Sequence, residues 1–443
     1  MRGEREGALA RQAVIGRIVG RVQELVKALE GLVDEAETAG ALEAQVAAAF
    51  RQAGAETLGE LLSLRFGAQE GRWRSCACGA RMKFEGYRRR QVLTVLGRAE
   101  VKRAYYRCGA CRATSYMGAA ELGEAAGGKT LGVQEALSLL AAHETFEDAA
   151  RVLERLLGLH TCTSEAEKHA EAWGEQLEEE WEAEVEAVFE GHVEVLAEAA
   201  PERLYVALDG CKTRLQDEWR ETKIGAVYDT RGRDEEGVDQ AGRTTYAGVV
   251  QRRYEDFGRR LYVEARHRGL DVAKEVVVLG DGAPWIWELA AMHFPHATHI
   301  VDWYHVSQHL WEVAHAVYGA ESPRGAAWVE RQQTRLHEGQ FDRALRSLRS
   351  LRPPSQEAAE TLRTNREYFR TNRERMRYNE YRDQGLHIAS GIVESACKHV
   401  AHQRLKRAGM RWTQRGAQAT LNLRLLDLNH RWDSYWNRQH HVA

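Results

Sequence analysis

The segment EVVVLGDG, residues 275–282, decides the expected fold of this chain. Its apolar run is typical of a strand that is buried on both faces of a parallel sheet, and Asp281 follows one residue after that run. Pro284 then suits the first turn of a helix. A buried strand that leads directly into a helix predicts an α/β domain.

Further segments on both sides of this one predict strands of the same sheet. They are RLYVALDG at 203–210, KIGAVYD at 223–229, RRLYVEA at 259–265 and THIVDWYH at 298–305. Residues 310–385 are polar, rich in arginine and helical in pattern, with RPP at 352–354 as a break, and residues 386–443 are helical again. We therefore expect an α/β core, residues 201–309 and 386–443, that an all-helical insertion at 310–385 interrupts.

The N-terminal part is expected to contain three regions. Residues 1–70 have apolar residues at helical spacing, residues 71–118 predict a β-hairpin, and residues 119–200 are helical. In the last region, two helices separated by a turn at Gly158 resemble a helix-turn-helix. Paired helices are common, so this pattern leaves DNA recognition open.

The charge of the chain is small in total but uneven along its length. The net charge is −3, yet residues 71–120 contain twelve Lys or Arg and two acidic residues, and residues 386–443 contain nine against three. Residues 161–200, with thirteen glutamates and one lysine, offset these basic regions in the total. Because phosphates meet local patches, the two basic regions favour a nucleic-acid partner, although each alone could be a solvated face.

Composition also bears on the compartment. No run approaches the roughly 20 apolar residues that span a bilayer, and the segment MRGEREGALARQ has no apolar signal core. Seven cysteines, an odd number, argue against a disulfide framework. We therefore expect a cytoplasmic protein with no membrane partner, in which Cys162, Cys211 and Cys397 are buried thiols.

Four cysteines have the spacing of a metal site. Cys76, Cys78, Cys108 and Cys111 flank the predicted hairpin, an arrangement that suits one tetrahedral structural zinc ion. The first pair is one residue shorter than the usual spacing, with Ser75 where a cysteine would stand, and four unrelated reduced cysteines are the alternative. The arginines of this zinc-ribbon-like hairpin then become candidate phosphate contacts: Arg88, Arg89 and Arg90.

Three carboxylates suggest a second metal centre. Asp209 and Asp281 end the two most apolar strands, and strand ends of an open sheet are site-forming positions. Glu394 lies in the basic segment SGIVESACKHVAHQRLKRAGMRW, residues 390–412, which predicts a helix with Ser390 as its N-cap. Together they could hold two magnesium ions about 3.5–4 Å apart, one activating an attacking water or 3′-hydroxyl and the other stabilising the leaving oxygen.

Simpler interpretations of these carboxylates remain open. Each Asp-Gly could be a turn dipeptide, and Glu394 could pair with Lys398 four residues later. Under the metal-centre interpretation, the basic residues after Glu394 would hold the DNA: Lys398, Arg404, Lys406 and Arg411.

The same motifs resemble those of a known family. The strand ends LDG and LGDGAPWIW, the element VDWYH, the hairpin VLTVLGRAEVKRAYYRC and the basic segment resemble bacterial insertion-sequence transposases of the DDE type, most closely the ISKra-type group, which is related to Mutator-like transposases. The resemblance implies an RNase H-like core with Asp209, Asp281 and Glu394 as the metal-binding triad. It also implies an accessory DxxH element, here Asp302 and His305.

The resemblance carries expectations about function and partners. It implies a transposase that binds insertion-sequence ends and catalyses magnesium-dependent strand cleavage and strand transfer. Its partners would be double-stranded DNA at the element ends and the target, bound by a homodimer or higher oligomer at the bacterial nucleoid. A structure-specific nuclease with the same core and a domesticated, inactive DNA-binding protein are the alternatives.

Overall fold

The computed structural model describes residues 2–69, 71–123, 125–389 and 391–442. The chain forms two compact units: Met1–Ala170 together with Asp433–Ala443, and Glu171–Trp432. Within the described ranges, no helix combines the length and the apolar character needed to cross a membrane.

The first unit begins with two long helices, α1 (Arg2–Glu35) and α2 (Ala39–Phe66). They pack against each other, and Arg17 and Arg21 of α1 form ion pairs with Glu60 of α2. Thr38 caps α2 by accepting a hydrogen bond from the Ala41 N–H. The prediction of helices over residues 1–70 is confirmed.

A four-stranded antiparallel sheet follows. Its strands are β1 (Trp73–Ser75), β2 (Arg81–Thr94), β3 (Gly97–Cys108) and β4 (Thr114–Tyr116), in that order. The long pair β2–β3 is the predicted hairpin. Helix α2 lies along β3, where Ser63 Oγ accepts a hydrogen bond from the Lys102 N–H and so satisfies a donor on the part of β3 that β4 leaves unpaired.

Three helices complete the N-terminal half: α3 (Leu131–His143), α4 (Phe146–Leu157) and α5 (Thr163–Phe189). Thr145 caps α4, and Gly158 ends it with a φ of 67°, a left-handed conformation that glycine adopts without strain. The predicted helix pair and its turn are therefore present. The boundary between the two units falls within α5.

The second unit contains a five-stranded mixed sheet. Its elements are β5 (Arg203–Leu215), β6 (Glu218–Arg233), β7 (Asp239–Val250), α6 (Tyr254–His267), β8 (Glu275–Gly280), α7 (Pro284–His293) and β9 (Thr298–Val301). The strand order is β7-β6-β5-β8-β9, with the first three antiparallel and β8 and β9 parallel to β5. Residues 204–208 and 277–279 are completely buried, as expected for strands with both faces covered.

One predicted strand is wrong and another was missed. RRLYVEA forms part of helix α6, because Phe257, Leu261 and Ala265 recur at four-residue steps and all three are completely buried. The third strand is instead β7, whose first half contains Asp239 and Gly242, residue types that weaken the strand signal.

The segment expected to be a helical insertion, residues 310–385, is helical, and its first helix begins earlier, at Trp303. It comprises α8 (Trp303–Tyr318), α9 (Pro323–His337), α10 (Phe341–Ser350), α11 (Gln356–Thr371), a 3₁₀ turn (Arg373–Arg375) and α12 (Tyr378–Asp383). The RPP break lies between α10 and α11.

The C-terminal part is also helical but interrupted. It contains α13 (Gly391–Ala396), a π-helical turn (Cys397–His402), α14 (Gln403–Leu405), α15 (Gln414–Leu428) and α16 (Trp432–Val442). The predicted basic helix therefore changes its period after Ala396 and ends at Leu405. Its predicted N-cap, Ser390, lies outside the described residues.

Candidate functional site

The register of the central sheet places three aspartates side by side. Leu208 of β5 pairs with Gly280 of β8, and Gly280 pairs with Val301 of β9. The next residue on each parallel strand is an aspartate, and these are Asp209, Asp281 and Asp302. Because neighbouring strands lie about 4.8 Å apart, these residues form one row at the carboxyl edge of the sheet.

Asp209 lies in an environment that opposes its ionisation. Burial raises the pKa of its carboxyl group, and the negative charge of Asp281 raises it further. A hydrogen bond with the Cys397 thiol, the positive field of His305 and the Gly210 N–H act in the opposite direction but do not cancel the rise. The Gly210 N–H donates to Asp209 Oδ1 at 2.7 Å. Asp209 and Asp281 therefore interact electrostatically.

Asp281 begins a turn that the insertion supports. Its Oδ1 accepts a hydrogen bond from the Ala283 N–H at 2.8 Å, and its carbonyl oxygen accepts one from the Tyr368 hydroxyl of α11 at 2.8 Å. Gly282 has a φ of 99°, and a Cβ there would lie 2.5 Å from the Tyr368 ring. Asp281 and Gly282 therefore do form a turn, as the simpler interpretation predicted. This turn holds the Asp281 carboxylate at the strand end.

Asp302 and His305 begin helix α8. Asp302 is 2% exposed, and its Oδ1 accepts hydrogen bonds from the Tyr304 N–H at 2.6 Å and the His305 N–H at 3.4 Å. This is N-cap geometry, so Asp302 has a structural role whatever else it does. His305 is half-buried, and its positive field partly offsets the rise in the pKa of Asp209.

Glu394 reaches the same sheet from a helix. Helix α13 packs against β5 and β6, and the Glu394 side chain is 42% exposed. Lys398 Nζ donates to Glu394 Oε1 at 2.7 Å, and this hydrogen bond raises the pKa of Lys398. The i,i+4 pair is thus present. Over the ranges that the structure covers, the three carboxylates Asp209, Asp281 and Glu394 do not all lie within metal-ligand distance of one another.

The π-helical turn brings a thiol group to Asp209. Its i→i+5 hydrogen-bond period stacks residues five apart, and Cys397 and His402 both interact with Cys211. The hydrogen bond from Cys397, followed by that from His402, lowers the pKa of Cys211 to about 6. The hydrogen bond with Cys211, followed by burial, raises the pKa of Cys397.

The sequence analysis did not predict that Cys211 and Cys397 interact with each other and with Asp209. It predicted only that the unpaired cysteines are buried, which is correct for Cys211 and Cys397 and wrong for the exposed Cys162. The available signal was position: Cys211 lies two residues after Asp209 and Cys397 three residues after Glu394.

The four hairpin cysteines form a compact cluster. Their Sγ atoms all lie within 4.8 Å of one another, with 3.6 Å between Cys76 and Cys111 and 3.7 Å between Cys78 and Cys108. A tetrahedral zinc ion with bonds of about 2.3 Å requires sulfur separations of about 3.8 Å. The cluster therefore fits a structural metal such as zinc.

The turns around the cysteines support this fit despite the short first spacing. The Gly79 N–H donates to the Cys76 carbonyl at 2.9 Å, and Gly79 has a φ of 83°, which favours glycine. A hydrogen bond from the Cys111 backbone lowers the pKa of the Cys108 thiol to about 6, although burial acts to raise it. A lowered thiol pKa favours the thiolate that binds metal.

The comparison with protein families decides the assignment. The family model described as an uncharacterised protein family, UPF0236, matches residues 33–437, which include both the cysteine cluster and the row of aspartates. The chain belongs to the UPF0236 family. No curated protein matches this UPF0236 chain.

The basic residues of the UPF0236 chain after Glu394 differ in exposure. Arg404 is completely buried, with its guanidinium 4.8 Å from the centre of the Trp412 ring. This contradicts the prediction that Arg404 contacts DNA, because a phosphate cannot reach it in this arrangement. Trp412 is buried too, and its Nε1 donates to the Leu405 carbonyl at 3.0 Å. Lys398, Lys406 and Arg411 are exposed.

The hairpin arginines of the UPF0236 chain lie on two faces. Arg88 and Arg90 share one face of β2, and Arg89 lies on the other. In the register, Arg88 lies opposite Arg103, and Arg89 lies opposite Lys102. Like charges directly opposite each other destabilise a sheet. Arg89 also forms an ion pair with Glu100 at 2.8 Å, which partly offsets that repulsion.

Proposed function

We propose that this chain is a DNA transposase of the DDE type, which binds the ends of an insertion sequence and catalyses magnesium-dependent strand cleavage and strand transfer. The observation that carries the proposal is the row at the sheet edge. Asp209 and Asp281 end adjacent parallel strands, and the helix that bears Glu394 packs against β5. Three acidic side chains on neighbouring elements are the oxygen ligands that magnesium prefers.

The fold supports the RNase H-like core that the resemblance implies. Three antiparallel strands are followed by two strands parallel to the first, and the helical insertion separates this sheet from the glutamate helix. Tyr368 and Tyr378 of the insertion donate hydrogen bonds to the carbonyls of Asp281 and Val301 at the strand ends. The insertion would therefore hold the edge of the sheet that bears the aspartates.

The donor chemistry of this edge fits magnesium. Burial and the nearby Asp281 charge raise the pKa of Asp209, so a cation would offset an electrostatic cost that is already present. Asp209, Asp281 and Glu394 would hold the ions, which would supply activation of the attacking oxygen and stabilisation of the leaving oxygen. Glu394 would first have to leave Lys398, and that lysine would then be free to contact a DNA phosphate.

The hairpin would supply DNA binding. The basic residues that face each other across β2 and β3, together with the stacking of Arg88 over Tyr105 at 5.0 Å, provide charge and aromatic surface. The cysteine cluster would fix the end of this hairpin with zinc. Such a protein would act as a homodimer or higher oligomer on DNA, at the bacterial nucleoid.

The test is cleavage of labelled DNA that carries the repeats flanking the gene, with and without magnesium. We expect Asp209→Asn, Asp281→Asn and Glu394→Gln each to lose more than about 10²-fold in cleavage rate while retaining DNA binding. Asp271→Asn is the control, because Asp271 is exposed and precedes β8, at the opposite end of that strand from Asp281. Cleavage at the normal rate by any triad variant would remove that residue from the proposed centre.

The products distinguish the alternative functions. Joining of a cleaved 3′ end to a second DNA supports a transposase, whereas cleavage of branched DNA without joining would indicate a structure-specific nuclease. Specific binding without cleavage by the wild-type chain would indicate a domesticated DNA-binding protein.

A further inference from the structure

The hairpin formed by β5 and β6 projects beyond the rest of its sheet. The ladder between β8 and β5 ends at Leu208, and the ladder between β7 and β6 begins at Thr222. Strands β5 and β6 nevertheless stay paired as far as Leu215 and Glu218. Residues 210–221 therefore extend past the carboxyl edge of the sheet, and we call them the hairpin extension.

Trp219 places a large aromatic ring on the surface of the hairpin extension. It is 52% exposed, the most of the three exposed tryptophans in the described part of the chain, and the others are Trp73 at 49% and Trp311 at 37%. Tryptophan is on average a largely buried residue, so an open ring is a candidate contact surface. The nearby Trp412 differs, because it is 6% exposed.

Trp412 instead holds the basic segment 406–411 beside the hairpin extension. Its N–H donates to the Arg214 carbonyl at 3.2 Å, and its carbonyl accepts a hydrogen bond from the Gln216 N–H at 2.8 Å. Lys406 reaches from this segment so that its Nζ lies 5.5 Å from the centre of the Trp219 ring. The open ring therefore has a positive charge next to it.

The charge around the ring is positive overall. Residues 210–221 and 406–411 together contain six basic and three acidic residues, and each acidic side chain is already paired with a basic one. The pairs are Arg411–Asp217, Arg220–Glu218 and Lys223–Glu221. Arg214 lies directly opposite Trp219 in the register, and its Nε finds no hydrogen-bond acceptor within the described residues. An anion beside the ring would give this guanidinium group an acceptor.

These features favour an unpaired nucleotide over other occupants. Bases inside a duplex stack on one another, so a tryptophan ring on a protein surface can stack only on a base that is unpaired. The phosphates on either side of such a base would meet the charges of Lys406 and Arg214. Lysine is depleted in protein–protein interfaces, so a ring beside a lysine suits a protein partner less well.

We propose that Trp219 stacks on an unpaired base of bound DNA, and that Lys406 and Arg214 contact the adjoining phosphates. This inference rests on the proposed function, because it takes DNA as the partner. Arg214, opposite Trp219, lies five residues after Asp209, which is about 17 Å along a strand that rises about 3.3 Å per residue. Successive phosphates of one DNA strand are about 3.4 Å apart along a duplex, so a strand held at Asp209 would reach Trp219 within about five nucleotides.

The experiment measures the affinity of the full-length protein for fluorescein-labelled DNA by anisotropy, without magnesium so that cleavage does not interfere. The two probes are a single-stranded oligothymidylate and a blunt duplex of the same length. Trp219→Ala is expected to raise the dissociation constant for the single strand about tenfold, because one stacked base is lost, and that for the duplex by less than about twofold. Trp219→Phe is expected to retain most of the affinity, since phenylalanine keeps an aromatic ring.

The matched control is Trp311→Ala. Trp311 is also an exposed tryptophan of the second unit, and it lies in helix α8. This variant is expected to leave both affinities unchanged. A strand of abasic sites is the control on the DNA, because it offers no base to stack and its affinity should not respond to Trp219→Ala. Circular dichroism checks that each variant folds.

The outcomes separate this inference from the proposed function. Unchanged affinity of Trp219→Ala for the single strand would overturn the inference and leave the ring as a surface for a protein partner. Equal weakening for both probes would overturn it too, since the ring would then only support the hairpin extension. A wild-type chain that binds the duplex but not the single strand would contradict this inference alone, and one that binds neither probe would contradict the proposed function as well.

Discussion

The cysteine cluster and the proposed carboxylate centre differ in how far their ligand atoms are already assembled. The four Sγ atoms lie within 4.8 Å of one another at the end of a hairpin. The aspartates are adjacent in the sheet register, but Glu394 is held by Lys398, at 2.7 Å. The first site has the geometry of a structural metal site, and the second has suitable ligands without that geometry.

Charge explains the difference. Thiols can share protons with a neighbouring thiolate through hydrogen bonds, so the chain can gather them before an ion binds. Carboxylates repel, and burial of Asp209 near Asp281 already raises its pKa. A third carboxylate would add to the electrostatic repulsion between these groups unless a cation were present. An ion pair with Lys398 is the lower-energy arrangement for Glu394 in the free chain.

The largest expected effect is loss of the metal from the cysteine cluster. Purified protein should contain about one zinc ion per chain, and Cys108→Ser should contain nearly none, because a tetrahedral site needs all four ligands. The hairpin of that variant should become sensitive to protease. Cys162→Ser is the control, since Cys162 is exposed and lies outside the cluster. Folded wild-type protein without zinc would show that the cysteine cluster is not a structural metal site.

The second prediction contrasts the buried Arg404 of the second unit with the exposed Arg89 of the hairpin. Arg404→Ala should lower the free energy of unfolding by about 3 kcal/mol, because its buried side chain packs on Trp412. Arg89→Ala on the hairpin should leave stability nearly unchanged and reduce the slope of log affinity against log salt by about 0.9. Chemical denaturation and DNA-binding titrations measure the two quantities. A reduced salt slope for Arg404→Ala with normal stability would reverse our assignment.

The third prediction tests the electrostatic cost at Asp209. Its folded pKa is raised above the ordinary value of 3.8, so the folded state holds the proton more tightly than the unfolded state. The contribution of Asp209 to the free energy of unfolding is therefore favourable at low pH, and it is lost as the pH rises through the folded pKa. Asp209→Asn should gain stability relative to wild type as the pH rises above about 4, with no gain below it. A difference independent of pH between 3 and 8 would contradict this, and thermal melts measure it.

The sequence predicted the positions of Asp209 and Asp281 at strand ends better than it predicted the surrounding elements, for physical reasons. Asp209 and Asp281 were identifiable because a carboxylate directly after an apolar run is conspicuous, and parallel strands bring such ends together. RRLYVEA was misassigned because its short apolar run suits either structure, and only burial at four-residue steps decides. Arg404 was misassigned because burial of a long basic side chain depends on tertiary contacts that its neighbours in sequence do not reveal.

The smallest expected effect on stability, and the sharpest test of the carboxylate centre, is Lys398→Ala. Both side chains of the Lys398–Glu394 pair are substantially exposed, so thermal stability should hardly change. If Glu394 must exchange this lysine for magnesium, the variant should reach half-maximal cleavage at a lower magnesium concentration. Its maximal rate should nevertheless fall, by at most about 10²-fold, because a positive charge near the reacting phosphate is lost.

Lys398→Gln is the informative companion, since it removes the charge but keeps a long polar side chain near Glu394. Single-turnover cleavage across a magnesium series measures both quantities for each variant. A fall in both the half-maximal magnesium concentration and the maximal rate supports a pair that opens when the ion binds. An unchanged magnesium dependence with weakened DNA binding would mean that Lys398 only docks DNA, and that Glu394 keeps its lysine throughout the reaction.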